Sequence, residues 1–141
     1  MKVILGSDHA GFELKQNLKE FLSAQNFQVE DVGCFSNESC DYPDFAKAVA
    51  EKVLKENSAG ILVCGAGIGM SIAANKVRGI RAANCYSIET AKLAREHNNA
   101  NILCLGARLL EKQKAFEIAK AFLETEFSNE ERHKKRTEKI E

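Results

Sequence analysis

Short apolar runs alternate along the chain with longer stretches in which apolar side chains return every three or four positions. Val3–Leu5, Gln28–Val32, Ile61–Cys64, Ile80–Asn84 and Ile102–Leu105 are brief, rich in leucine or β-branched residues, and bounded by glycine, asparagine or charge, which predicts about five strands. Between them Leu14, Leu18, Phe21 and Leu22 share a helical face, as do Phe45, Val49 and Val53, and again Phe116, Ala119 and Leu123. Strands separated by helices need crossover connections. The pattern therefore predicts one domain over residues 1–141, a three-layer α/β/α fold with an open, about five-stranded parallel sheet of Rossmann-like type and a C-terminal helical tail.

Helix punctuation agrees with this. Pro43 follows Asp41 where a first turn tolerates proline, and Ser87 is placed to cap a helix over 88–96. Ser128 and Glu131 have capping-box spacing, which predicts a last helix within 128–141. That helix is almost wholly charged and has little apolar face, so it is expected to lie against a partner subunit.

Charge narrows the partners. Twenty basic residues balance 20 acidic ones, so no positive excess exists to hold nucleic acid or an anionic membrane, and a small molecule or a protein is expected. The opening MKVILGSDHAG is too short in apolar residues for a secretory signal, and no window approaches a membrane span. The five cysteines, Cys34, Cys40, Cys64, Cys85 and Cys104, are odd in number and contain no CxxC pair, which predicts a reducing cytoplasm without disulfides or zinc. A chain of this length buries roughly two-thirds of its unfolded surface, enough for a core that needs no staple.

Ligands of open parallel sheets gather at the carboxyl ends of strands, so the chemistry is sought there. The first strand leads into Gly6-Ser7-Asp8-His9-Ala10-Gly11, a carboxylate beside an imidazole, and the third into Cys64-Gly65-Ala66-Gly67-Ile68-Gly69. The glycines allow a tight turn whose amides face an anion or a developing oxyanion, and a thiol at such a helix start is favoured as thiolate. No Gly-Lys-Ser/Thr follows, so a nucleotide cofactor is not expected. His97-Asn98 follow the 88–96 helix, Arg108 follows the fifth strand, and Arg132 and Arg136 share a helical face.

Taken singly, each has a plainer reading. The glycines suit tight turns, the cysteines small core positions, Asp8 a helix cap, His9 a surface site, and His97 a helix C-terminus with Asn98 and Asn99 allowing the left-handed turn. The run from Arg132 through His133, Lys134 and Lys135 to Arg136 suits a solvated face. Together they supply what isomerisation of a sugar phosphate needs: a ring-opening acid or base, a proton shuttle, an oxyanion hole and cations for the phosphate.

The segments GSDHAGFELK, DYPDFA, CGAGIGMSIAANKVRGIRA, AREHNNANILCLGAR and ERHKKR, in this order over nearly the whole chain, resemble the type B ribose-5-phosphate isomerases. The resemblance implies a homodimer, in some members a tetramer, with active sites shared between subunits and neither metal nor cofactor. It implies Cys64 as the proton-transferring base and His97 as the residue that helps open the furanose ring. Asp8 and His9 would contact substrate, Gly65, Ala66, Gly67, Ile68 and Gly69 would form the anion hole, and Asn98, Arg108, Arg132 and Arg136 would bind hydroxyls and phosphate. Where the family commonly has Thr or Ser this chain has Ala66, and where one branch has a glutamate base it has Met70. Galactose or allose 6-phosphate remain alternative substrates, and a non-catalytic phospho-sugar-binding protein is the alternative of another class.

Overall fold

A computed structural model describes residues 1–140. The chain runs β1 (Lys2–Ser7), α1 (Phe12–Ala24), β2 (Gln28–Asp31), α2 (Tyr42–Glu56), β3 (Ala59–Cys64), α3 (Ile68–Ala74), β4 (Ala82–Asn84), α4 (Ile88–Asn98), β5 (Ile102–Gly106), α5 (Lys112–Glu124) and α6 (Glu131–Glu138). The five strands form one parallel sheet in the order β2-β1-β3-β5-β4. This is the three-layer arrangement expected from the alternation.

Strand side chains point alternately to the two faces, and the two cores follow that alternation. Val3, Leu5, Ile61, Val63, Leu103 and Leu105 face α1, α4 and α5, where Leu18, Ala91, Ile118 and Phe122 close the layer. Ile4, Leu62, Cys64, Ile102 and Cys104 face the other way and meet Val49 and Val53 of α2 and Met70 and Ala74 of α3. The parity places the Cys64 sulfur on the α2–α3 side.

Several element ends differ from expectation. β2 stops at Asp31, beyond which Val32 N–H still donates to Leu5 O (2.9 Å) and the Gly33 amide turns back to Asp31 Oδ1 (2.9 Å). β4 starts only at Ala82, since Ile80 N–H is still in a turn with Val77 O and Arg81 N–H donates to Asn101 Oδ1 (2.8 Å). α4 continues past 96 to Asn98, with Asn99 as the left-handed end at φ 47°, so His97 lies in its last turn. Its start is as expected, with Ser87 accepting from Thr90 N–H in a capping box.

The terminal helix needs the largest correction. Ser128 is not its cap: the Ser128 amide donates to Glu96 O (3.1 Å), Asn129 bends the chain at φ 60°, and helical geometry begins at Glu131. Nor is α6 wholly solvated. His133 is buried, its ring stacked on that of His97 in α4 of the same chain, 4.4 Å between centroids and 13° between planes.

Beneath the carboxyl end lies a fully buried ion pair, Lys15 Nζ to Asp31 Oδ2 at 2.5 Å. Its carboxylate also holds the Gly33 amide, and from there Gly33 O accepts from Ser7 N–H (2.7 Å) while Cys34 N–H donates to Ser7 O (2.8 Å). The pair thus braces the segment that carries Asp8 and His9. Among the described residues no helix is long and apolar enough to cross a membrane.

Candidate active site

β3 ends at Cys64, 6% exposed, and the chain turns at once through Gly65, Ala66 and Gly67 into α3. Gly67 takes φ 80°, a left-handed value that glycine adopts without strain, and its N–H donates to Cys64 Sγ at 3.1 Å. A backbone donor aimed at sulfur stabilises a thiolate over a thiol. Ile68 is exposed at the start of α3, and Gly69 lies flush with the Tyr42 ring, where an added Cβ would be 2.7 Å from Cε1.

Arg108 comes to the same turn from β5. Its amide donates to Gly65 O (3.0 Å), and its side chain lies over Gly65, where a Cβ would sit 3.1 Å from Nη1. From β1, Asp8 accepts the Gly11 amide (3.0 Å) and is nearly buried. His9 Nδ1 accepts from Cys40 N–H (3.3 Å), which puts the proton of a neutral ring on Nε2 and leaves that nitrogen as the donor toward a ligand. Burial, with a hydrogen bond to Cys34, pushes the neighbouring Cys40 thiol up. Asp8, His9, Cys64, Gly65, Ala66, Gly67, Ile68, Gly69 and Arg108 are therefore gathered at one end of the sheet.

His97 and Asn98, which close α4, are not with them, although the chemistry is sought at the carboxyl ends of the strands. α4 leaves the carboxyl end of β4 and returns the chain to the amino end of β5, so its last turn lies at the far edge of a sheet roughly 17–20 Å deep. There His97 meets His133, and the exposed Arg132 and Arg136 belong to the same helix pair, Arg132 donating to Glu130 Oε2 (2.8 Å). Burial, followed by the neighbouring His97 and Arg132, holds the His133 pKa below its usual value. The hydrogen bond from Arg132 does the same for Glu130.

Four residues in or under these regions carry no sequence signal of their own. Lys15 reads as one more helix lysine, and Asn84 and Tyr86, which reach Ala66 O, flank a short strand. His133 sits in a charged run, with only its spacing from the capping region to mark it.

The carboxyl end thus defines a class: an α/β protein that sets a thiol against an amide-lined glycine turn with a carboxylate, an imidazole and a guanidinium around it. The family model for ribose/galactose isomerases matches residues 3–140, and the chain belongs to that family. It is 46% identical over 138 residues to the ribose-5-phosphate isomerase B of Mycolicibacterium paratuberculosis, covering 96% of this chain and 87% of that one. Among solved structures, a ribose 5-phosphate isomerase from Thermotoga maritima superposes with a TM-score of 0.96 at 51% identity, covering 99% and 96% of the two chains. The type B ribose 5-phosphate isomerase of Trypanosoma brucei gives 0.95 at 47% identity, covering 99% and 95%.

Proposed function

We propose that this protein is an aldose-ketose isomerase interconverting ribose 5-phosphate and ribulose 5-phosphate as a cytoplasmic homodimer. The observation that carries the reading is the Gly67 N–H held 3.1 Å from the Cys64 sulfur in the glycine turn that opens α3. In the aldose-to-ketose direction the opened sugar presents its C2–H to the Cys64 thiolate. The proton passes to sulfur, the C–H electrons form the C1–C2 double bond, and the C1 carbonyl oxygen takes the negative charge as the enediolate forms. Return of the proton from sulfur to C1, with transfer of the O2 proton to O1, yields the ketose. The amides from Gly65 to Gly69 stabilise charge that exists only in this intermediate.

His97 helps open the furanose ring, Asp8, His9 and Asn98 bind hydroxyls, and Arg108, Arg132 and Arg136 serve hydroxyls and phosphate. These groups sit at opposite ends of one sheet, so a complete site requires the α4–α6 end of one protomer against the glycine turn of its partner. Exposed Ile68 and Ile72, four apart on α3 and 53% and 60% exposed, supply an apolar contact beside that turn. The five unpaired thiols suit a reducing compartment. Steady-state conversion of ribose 5-phosphate, with allose 6-phosphate alongside, tests the reading: turnover of the pentose is expected, and binding without turnover of either sugar overturns it.

A further inference from the structure

One peptide group stands between the Cys64 sulfur and two side chains that no catalytic role claims. The planar unit linking Ala66 to Gly67 points its N–H and its carbonyl in opposite directions. The N–H donates to Cys64 Sγ (3.1 Å), and on the other side Ala66 O accepts from Asn84 Nδ2 (3.3 Å) and from the Tyr86 hydroxyl (3.5 Å). Asn84 Nδ2 also donates to Tyr86 Oη (2.9 Å), which leaves the phenol proton for Ala66 O.

We propose that Asn84 and Tyr86 are positioning residues that clamp the Ala66–Gly67 peptide and so keep its N–H aimed at the Cys64 sulfur. Hydrogen bonds received at a carbonyl polarise the whole amide and strengthen what its N–H donates, so the clamp favours the thiolate as well as orienting the donor. It is needed because Gly67, without a side chain, resists rotation of that peptide poorly. Ala66 offers only a methyl group to steady it.

Asn84 is also placed where stability alone argues against an amide. It ends β4, opposite Cys104, and its Oδ1 is buried with no hydrogen-bond partner. A buried acceptor left unpaired is costly, and an apolar residue would avoid the cost. Oδ1 packs directly on Gly67, where any Cβ would collide with it. The same amide therefore fills the space behind the turn and presents its NH2 to Ala66 O.

The kinetic part of the test rests on the isomerase reading, whereas the spectroscopic part does not. Thiolate formation by Cys64 is followed as ultraviolet absorbance against pH, each protein being measured against its own Cys64→Ala counterpart. Asn84→Leu is expected to move the midpoint upward by about one pH unit, a tenfold smaller thiolate fraction on the alkaline approach. Its kcat for ribose 5-phosphate should fall about tenfold at neutral pH and recover in alkali, with KM changed less than twofold. Tyr86→Phe removes only an oxygen from a half-exposed ring and should shift the midpoint the same way by less, which keeps the test open if Asn84→Leu folds poorly. Unmoved midpoints in both variants overturn the clamp, even if kcat falls. Shifted midpoints in the variants, where the wild-type protein does not turn over the sugar, uphold the clamp and reject the substrate.

Discussion

The two ends of the sheet are built by different means. At the carboxyl end the groups are fixed by strand register, by hydrogen bonds on both sides of the Ala66–Gly67 peptide, and by a buried ion pair beneath. At the amino end His97, Arg132 and Arg136 ride on two helices joined through one buried residue, His133. The first arrangement is complete in a single chain and suits bond-making steps that tolerate little displacement. The second presents long, exposed cations. On the proposed reading the carboxyl end carries proton transfer, and the amino end carries ring opening through His97 and the cations for the phosphate.

That division is most severely tested at Cys64. Cys64→Ala should lower kcat by at least about a thousandfold while sugar-phosphate binding stays within a few-fold, because the lost interaction exists mainly in the transition state. Steady-state kinetics with an equilibrium titration decide it, and near-normal kcat removes the thiol from the mechanism. Arg136→Ala should show the opposite split, with KM raised far more than kcat is lowered.

The brace comes next in size. Lys15→Met leaves Asp31 buried without its cation, which should cost about 3–5 kcal/mol in urea unfolding. Lys15→Met with Asp31→Leu should recover much of that loss, because no lone charge then remains. Loss of stability as large in the double variant as in the single one would show that the pair itself, and not the stranded charge, matters.

The proposed sharing of the two ends between protomers predicts complementation. Cys64→Ala and Arg136→Ala chains, each inactive alone at limiting substrate, should on subunit exchange regain roughly a quarter of wild-type activity, since half the dimers are hybrids and each hybrid holds one intact site. A mixture that exchanges subunits, as mass spectrometry would report, yet stays inactive contradicts shared sites.

What the sequence made legible follows the range of the interactions. The glycine turn after Cys64 is contiguous, so residue types and spacing alone mark it, and Ser87 with Thr90 is equally local. Lys15 with Asp31, and Asn84 and Tyr86 with Ala66, depend on which strands are neighbours, and no periodicity encodes that. The strand order separates β1 from β4 and inserts β5 between β3 and β4, although β4 comes first in the chain. The position of His97 is illegible for a different reason: it closes a helix rather than a strand, and a crossover helix delivers its last turn to the amino edge. The terminal helix hides its one buried residue because a histidine among five charged neighbours from Glu131 to Arg136 looks solvated.

The smallest expected effect concerns that histidine and confines itself to the amino end. Burial first, then His97 and Arg132, and to a lesser degree Arg136, disfavour the His133 cation, and Glu130 at 3.7 Å only partly offsets them. The folded-state pKa therefore lies below the unfolded one. As pH falls through about 6.5, the unfolded segment takes up a proton that the native one resists, so the seating of α6 on α4 weakens toward acid and is fully retained above that range. Hydrogen-exchange protection factors should fall in 131–138 between about pH 7.5 and 5.5 while those of β3 and β5 hold, because the carboxyl end contains none of these groups. His133→Phe keeps an aromatic ring against His97 but cannot titrate, and it should flatten most of the dependence. An equal loss of protection in that variant would show that His133 is not the titrating group, and the buried ring would then be packing alone.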